Sequence, residues 1–522
     1  MVKKKFNVTG LCVPEEDYMV NINEKIAKIK NLVDNRCYFT INRARQYGKT
    51  TILNELKKAL EGEYLCISTS FERLGNESFS SSKSFCHAFM SLMQKALRFT
   101  SADMEYIEKW MDENVITFES LSDHITTMSR DKKIVLMVDE VDKTSNNQVF
   151  LHFLSILRDK FLGRKAGIDH TFHSVILAGV YDIKNIKLKM MQEGTHIPSD
   201  TENKIYNSPW NIATDFDVDM SFNPREIASM LETYENDHQT GMCIDSISKE
   251  IYSYTNGYPY LVSRLCQHID VKLNRDWTTT GVRDAVQILT SEKNTLFDDI
   301  FKNLENNSNL YELIYDVLIV GEQRLYSVGN PTANLGAIYG IIRNSNQYIV
   351  VSNKVYESLI CDYFITKDAE TRRRISGVLQ KDVVRDGKFD MELCLRKFAE
   401  HYAEIFNKSD IEFLERHGRL LFLSYLKPLI NGQGFFHIES QLTDSRRMDI
   451  VVDFGNQQFI IELKLWRGQQ YQADAYIQLC EYLDSKHANE GYLLTFDFRK
   501  RDKIRGAKWK DINGKRIFDV MV

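Results

Sequence analysis

The chain has 522 residues, 43% of them hydrophobic and 27% charged, only 7 prolines, and a net charge of −5. That length exceeds a single hydrophobic core and implies roughly two to four domains. The near-neutral balance excludes a protein drawn onto nucleic acid by a global field, so such contacts need local patches. Nine scattered cysteines with no Cys-x-x-Cys exclude a zinc ribbon or a disulfide framework and suit a reducing cytosol. No apolar run is long enough to span a membrane, and Met1-Val2-Lys3-Lys4-Lys5 is not followed by the apolar stretch of a signal peptide. A cytoplasmic protein with no membrane partner is expected.

In chain order, Cys37-Tyr38-Phe39-Thr40-Ile41 reads as a buried strand. It runs into the loop Arg43-Ala44-Arg45-Gln46-Tyr47-Gly48-Lys49-Thr50-Thr51. Ile52, Leu53, Leu56, Ala59 and Leu60 then recur at helical spacing, with Gly62 where a helix stops. Strand, loop, Gly-Lys-Thr and helix are the context of a P-loop. Backbone N–H groups and the helix N-terminus cradle phosphate, Lys49 reaches the β and γ oxygens, and Thr50 ligates Mg²⁺. A strict P-loop has Gly where this chain has Arg43, and a chance Gly-Lys-Thr is the bland alternative.

Downstream, Ile134-Val135-Leu136-Met137-Val138 is an apolar strand ending in Asp139-Glu140. Asp139 is placed to hold the Mg²⁺ shell and Glu140 to act as general base on the attacking water. ATP and Mg²⁺ are therefore the expected cofactors. A third strand, Ser174-Val175-Ile176-Leu177-Ala178-Gly179, is followed by Tyr181 and Asp182, candidates for sensing the γ-phosphate or simply loop residues. Asn223 N-caps a helix with Pro224 at its first position. Gly257-Tyr258-Pro259 leads into another helix, which carries Arg264, a candidate nucleotide contact or a surface arginine.

Leu310, Leu313, Ile314, Val317 and Leu318 predict one amphipathic helix, and Leu335, Ile338, Ile341 and Ile342 a second. Asn344-Ser345-Asn346-Gln347 turns into the strand Tyr348-Ile349-Val350-Val351. This order fits a winged helix. Arg343 is its chief cation, which favours a structural or nucleotide-sensing role over base reading. A charge-dense break, Lys367 to Arg374, precedes a terminal domain whose residues 386 to 428 read as helices.

In that domain Asp449 ends the charged run Asp444-Ser445-Arg446-Arg447-Met448-Asp449. Ile450-Val451-Val452, a Gly455-Asn456 turn and Phe459-Ile460-Ile461 then predict a hairpin, whose second strand ends in Glu462-Leu463-Lys464. Alternation puts Glu462 and Lys464 on one face, within reach of Asp449 on the neighbouring strand. Two carboxylates and a lysine at one point can hold a divalent metal and activate water, the chemistry of phosphodiester hydrolysis. The alternative is a surface salt bridge on an ordinary hairpin. Gln478 and Tyr482 lie four apart on a following helix and share a face. After the strand Tyr492-Leu493-Leu494-Thr495-Phe496 comes a basic tail: Arg499, Lys500, Arg501, Lys503, Arg505, Lys508, Lys510, Lys515 and Arg516. With Arg446 and Arg447 these cations either grip phosphates or guard a strand edge.

The Asp449, Glu462, Lys464 set resembles the PD-(D/E)XK nuclease superfamily. The resemblance implies Mg²⁺ on Asp449 and Glu462, a lysine that orients the attacking water, and Gln478 with Tyr482 as the Gln-x-x-x-Tyr pair of RecB-like members. It also implies one further Glu near the metal, with Glu415 and Glu439 as competing candidates. Arg-Ala-Arg-Gln-Tyr-Gly-Lys-Thr resembles the Arg-Pro-Arg-Arg-Phe-Gly-Lys-Ser loop of AAA-ATPase-like proteins, some of which end in such a nuclease domain. Ser208-Pro209-Trp210-Asn211-Ile212-Ala213 and Gly257-Tyr258-Pro259 extend that likeness, the latter to the lid of STAND-type ATPases.

The expected architecture is α/β and multidomain: an AAA+-like P-loop parallel sheet over 1-215, a helical lid over 216-284, a winged helix over 285-368, and a PD-(D/E)XK nuclease-like α/β domain over 380-522. The expected function is an ATP-binding and ATP-hydrolysing protein coupled to a Mg²⁺-dependent deoxyribonuclease. Its partners would be nucleic acid, DNA favoured, and further copies of itself, in prokaryotic genome defence or mobile-element biology by analogy. The alternative is a nucleotide-dependent switch whose terminal domain binds without cutting. A DNA-translocating motor lacks its helicase motifs here.

Overall fold

A computed structural model describes residues 3–141, 148–180, 210–371, 380–406, 411–430, 433–440, 448–466, 468–497 and 506–522. Tyr181, Asp182, Ser208, Pro209, Arg446, Arg447 and Arg499 to Arg505 lie outside them, as do the side chains of Glu415, Glu439 and Asp449. The chain divides into two compact units. One holds Met1–Gln239 with Gly257–Arg264, the other Thr240–Asn256 with Leu265–Val522.

The first unit is built on β1 (Tyr38–Asn42), β2 (Leu65–Ser70), β3 (Ile134–Asp139) and β4 (Ser174–Gly179). All pair in parallel, in the order β1-β4-β3-β2. Every residue of β3 and β4 is buried, as the continuous apolar runs require of a sheet covered on both faces. Thr214 adds a parallel bridge to Phe39 at the outer edge of β1. Helix α1 (Asn23–Asp34) precedes the sheet; α2 (Lys49–Leu60) follows β1 directly. The core gathers Phe71, Phe85, Phe89, Trp110, Phe153 and Trp210 around β2 and β3. The Pro224–His238 helix starts as expected: Asn223 and Glu226 form a reciprocal capping box with Pro224 at the first position.

The second unit begins with helices, among them Ile244–Thr255, Thr279–Ser291 and Thr295–Asn306. Ser308–Tyr315 runs on as a π-helical turn, Asp316–Val320, so Val317 and Leu318 continue the expected buried stripe. The next helix is shorter than expected. It covers Pro331–Ile338, and Ile341 and Ile342 are not helical. Gly340, at φ +71°, donates to Ala337 O, and Ile341 N donates to Gly336 O. That pattern is a Schellman stop, after which Ile342 opens a strand. The ribbon pairs β5 (Ile342–Ser345) with β6 (Tyr348–Val351) across Asn346 and Gln347, both at positive φ. The following helix, Lys354–Thr371, takes in Lys367 to Thr371 from the charge-dense segment.

A short ribbon, β7 (Val384–Arg385) with β8 (Lys388–Phe389), and the helices Met391–Phe406 and Ile411–Ile430 precede the larger sheet. Its strands are β9 (Gly434–Ser440), β10 (Met448–Phe454), β11 (Gln457–Leu465), β12 (Glu490–Phe496), β13 (Ala507–Ile512) and β14 (Lys515–Met521). Their order is β13-β14-β12-β11-β10-β9. β9, β10 and β11 run antiparallel, β11 pairs in parallel with β12 and β12 with β14, and β13 closes back on β14. Helix Gln469–Ser485 connects β11 to β12 and packs Ala475, Leu479 and Leu483 on the face that carries Val451, Ile460 and Leu493. All nine cysteines are unpaired. Among the described residues no helix is long and apolar enough to cross a membrane.

One buried ion pair braces the first unit. Lys160 is fully buried, with Nζ 2.9 Å from Asp169 Oδ2 and 2.6 Å from Thr126 Oγ1. Burial alone would raise the Asp169 pKa, but the hydrogen bonds from Lys160 and Thr126 hold it below the ordinary value. Asp169→Ala strands the ammonium and should destabilise the protein by about 3–5 kcal/mol. A carboxylate with a lowered folded pKa stabilises above its unfolded value and loses that contribution as pH falls through the folded one. The melting-temperature gap between parent and Asp169→Ala should therefore be full at neutral pH and shrink on acidification below 3.8.

Candidate functional site

The loop between β1 and α2 is shaped by two left-handed residues, Gln46 at φ +55° and Gly48 at φ +78°. Arg43 is not among the positive-φ residues, so the glycine of a strict P-loop is not required there. Instead its side chain anchors the loop. Nη1 donates to Asn42 O and Nη2 to Val218 O, both at 2.8 Å, and the guanidinium lies over the Phe216 ring. Its main-chain N donates to Gly179 O at the end of β4. Burial lowers its pKa against the opposing pull of Tyr47 and Asp219.

Lys49 is buried, and Nζ donates to the main-chain oxygens of Arg43 and Ala44 at 3.0 Å each. The ammonium is thus stored inside the loop that would wrap a phosphate chain. Thr50 Oγ1 donates to Asp139 Oδ2 at 2.7 Å, and Asp139 Oδ1 accepts from Glu140 N at 2.9 Å. Glu140 sits at φ +56°, an uncommon conformation for a residue with a side chain. Thr50 and Asp139 supply the hard oxygens Mg²⁺ prefers, and the two halves of the sequence-predicted site meet here.

A cavity of about 630 Å³ opens over this loop, floored by Arg45 to Thr51 with Glu140 at its edge. Its walls come from segments with no motif of their own: Asn7 to Gly10 with Cys12, Tyr18 to Val20 with Ile22, Glu72 after β2, and Met220, Phe222 and Met230. No spacing rule marks such residues in a sequence. Pro259, Tyr260 and Ser263 line another side, whereas Arg264 is not among the lining residues. Tyr47 fastens this wall: its hydroxyl pairs with Ser221 Oγ at 2.7 Å, and its ring meets Tyr258 edge-on at 4.6 Å. Tyr258 in turn donates to Arg45 O. Gly257, at φ +72°, accepts from Phe222 N, and a Cβ there would fall 1.9 Å from Phe222 O.

The second candidate site lies on the larger sheet. Glu439, Asp449 and Glu462 occupy one cross-sheet row, in register on β9, β10 and β11. Glu462 is 1% exposed and Lys464 5%. They form an ion pair of 2.7 Å. Tyr482 packs into the apolar cluster with Val451, Leu479 and Ile517, and Gln478 is half-buried on the same helix. The same i, i+4 spacing recurs at Gln472 and Tyr476, which the sequence reading missed and which carry a polar network. Gln472 bonds Thr495 Oγ1 at 3.1 Å, and Tyr476 Oη donates to Asp519 Oδ2 at 2.7 Å. Among the described side chains no three His, Cys, Asp or Glu groups converge as a metal site, and those of Glu439 and Asp449 are not among them. In the basic tail Lys510 pairs with Asp519, Lys515 with Asp484 and Arg516 with Glu490. These three cations pair with carboxylates of β14, the Gln469–Ser485 helix and β12.

A model of the AAA-like domain matches residues 18–364, well over half of the chain. The chain belongs to the AAA-like domain family. The match takes in the phosphate-binding loop, Asp139 and the first part of the Lys354–Thr371 helix. Among solved structures the AAA-like chain is similar to the Walker-type ATPase PABY2304 of Pyrococcus abyssi, at 11% identity and a TM-score of 0.47, over 68% of this chain and 99% of that one. It is also similar to the ORC2 protein of Aeropyrum pernix in ADPNP–ADP complexes, at 12% identity and a TM-score of 0.35, over 70% and 98%. No curated protein matches it.

In this AAA-like chain Lys49→Ala should weaken ATP binding by about ten- to a hundredfold, the worth of a charge-assisted hydrogen bond in a sheltered site. Glu140→Gln should bind ATP as the parent does and lose turnover. Calorimetry and phosphate release separate the two. Arg43→Gly should cost about 1–3 kcal/mol of stability, since two carbonyls lose their donor; unchanged melting and turnover would refute the anchoring role.

Proposed function

We propose that the protein binds and hydrolyses ATP in its first unit and carries a Mg²⁺-dependent PD-(D/E)XK deoxyribonuclease site in its terminal domain. Four domains serve this reading: the P-loop sheet to residue 215, a helical lid to 284, a winged helix to 368, and the nuclease-like domain from 380. The hydrogen bond between Thr50 and Asp139 supports the first half, because it joins the metal-ligating ends of a P-loop and an acidic strand. Lys49 would hold the β and γ oxygens, Glu140 would take a proton from water, and bound Mg²⁺ would supply charge neutralisation of the phosphates.

The second half is carried by one observation: three acidic positions in register on adjacent strands, beside the buried Lys464. Neighbouring strands stand about 4.8 Å apart, so carboxylates from such a row can share one divalent ion. The strand sequence supports the same reading: a helix, three antiparallel strands, a helix and a strand parallel to β11. DNA is the favoured substrate. The near-complete burial of Glu462 favours a second reading, a nucleotide-dependent switch whose terminal domain binds without cutting.

The test is cleavage of single- and double-stranded DNA and RNA with Mg²⁺ or Mn²⁺, with and without ATP. Asp449→Ala and Glu462→Ala should abolish cleavage, and Lys464→Ala should slow it by about a hundredfold or more. ATP turnover should survive all three. Cleavage that persists in Asp449→Ala would put the nuclease site elsewhere; no cleavage and no metal binding by the parent would leave the switch.

A further inference from the structure

The Lys464 ammonium lies between two partners: Glu462 Oε1 at 2.7 Å and the face of Tyr471, 5.8 Å from the ring centroid. A divalent cation bound through Glu462 Oε1 would displace the ammonium from that oxygen. A buried ammonium without a counter-charge is strongly disfavoured. An aromatic face within about 6 Å attracts a cation, more so where water is excluded. We propose that Tyr471 is a positioning residue for Lys464, its ring providing the second seat of the ammonium when a metal ion occupies Glu462. The inference rests on the reading of Glu462 as a metal ligand.

The ring is placed firmly enough for this role. Tyr471 lies in the first turn of helix Gln469–Ser485. Its neighbour Gln472 is buried and exchanges hydrogen bonds with Thr495, donating from Nε2 at 3.1 Å and accepting at Oε1 at 3.3 Å. Thr495 is the register partner of Lys464 on β12. Gln472 Nε2 also reaches Asp519 Oδ1 at 3.4 Å, and one turn on Tyr476 donates to the other oxygen of that carboxylate. The turn that carries the ring is therefore tied to the strand paired with Lys464 and to the strand beyond it.

A double-mutant cycle on Mn²⁺ affinity tests this without any turnover, by calorimetry on the full chain free of nucleotide. Tyr471→Phe keeps the ring and should match the parent. Tyr471→Leu should bind Mn²⁺ about tenfold more weakly, because the ammonium then stays on Glu462 and competes with the ion. In a Lys464→Met background there is no ammonium to seat, and Tyr471→Leu should change nothing. Equal weakening in both backgrounds, or none in either, would overturn the role of Tyr471 and leave the metal reading intact. A parent that binds no Mn²⁺, or whose binding is untouched by Glu462→Ala, would overturn the metal reading and this inference with it.

Discussion

The hydrogen bond between Thr50 and Asp139 depends on a constraint set by the whole first sheet. All four strands run in parallel, so their carboxyl ends open along one edge, where ligands of such sheets gather. β4 lies between β1 and β3, which sets the loop after β1 and the acid at the end of β3 two strand spacings apart, about 9.5 Å. Thr50, in the first turn of α2, reaches across that gap to Asp139. Glu140 is held in turn, because its main-chain N–H binds the other Asp139 oxygen. A shift of register in β3 or β4 would separate the two halves of the site without altering a residue of either.

Arg43 and Gly257 show two opposite uses of a tight place. At Arg43 the backbone needs no left-handed turn, so the position is free to carry a long planar side chain that satisfies carbonyls of β1 and of the Phe216–Val218 segment. At Gly257 the Phe222 carbonyl occupies the place of a Cβ and φ is positive, so no side chain fits. Glycine is absent from one and present in the other for the same reason: the local backbone decides. The loop is fastened by the Arg43 guanidinium on one flank and by the Tyr258 hydroxyl, which donates to Arg45 O, on the other.

What was legible in the sequence was short-range. β1, β3 and β4 announce themselves as apolar runs, α2 by its spacing, the Asn223 helix by its cap, and the β10–β11 hairpin by Gly455-Asn456. β2 was not legible, because Leu-Cys-Ile-Ser-Thr-Ser is half polar although four parallel strands need it. β13 and β14 hid inside a basic run, although Asn513-Gly514 between them, both at positive φ, is the strongest short hairpin signal there is. Ile341 and Ile342 fitted the helical period, yet the Gly340 stop overrode it. The cavity wall before α1 was invisible because its residues share no spacing; only the tertiary fold brings Asn7 and Met230 to one cavity. Gln-x-x-x-Tyr spacing occurs twice on one helix, at Gln472 with Tyr476 and at Gln478 with Tyr482, and spacing alone does not distinguish the two.

The Lys160–Asp169 and Lys464–Glu462 ion pairs differ in their surroundings. Asp169 accepts from Lys160, Thr126 and the His170 N–H, so its charge is spent on the fold. A buried pair is weak evidence for stability, since well-packed apolar residues of similar volume often do as well or better. Glu462 stands in register with Asp449, and Asp449 with Glu439. Like charges opposite one another on adjacent strands destabilise a sheet. Two cations meet Glu462: the buried Lys464 ammonium in an ion pair, and the Arg419 guanidinium through its charge. Glu462 thus differs from Asp169 in its setting: it belongs to a cross-strand row of three acidic positions rather than to a closed set of hydrogen bonds.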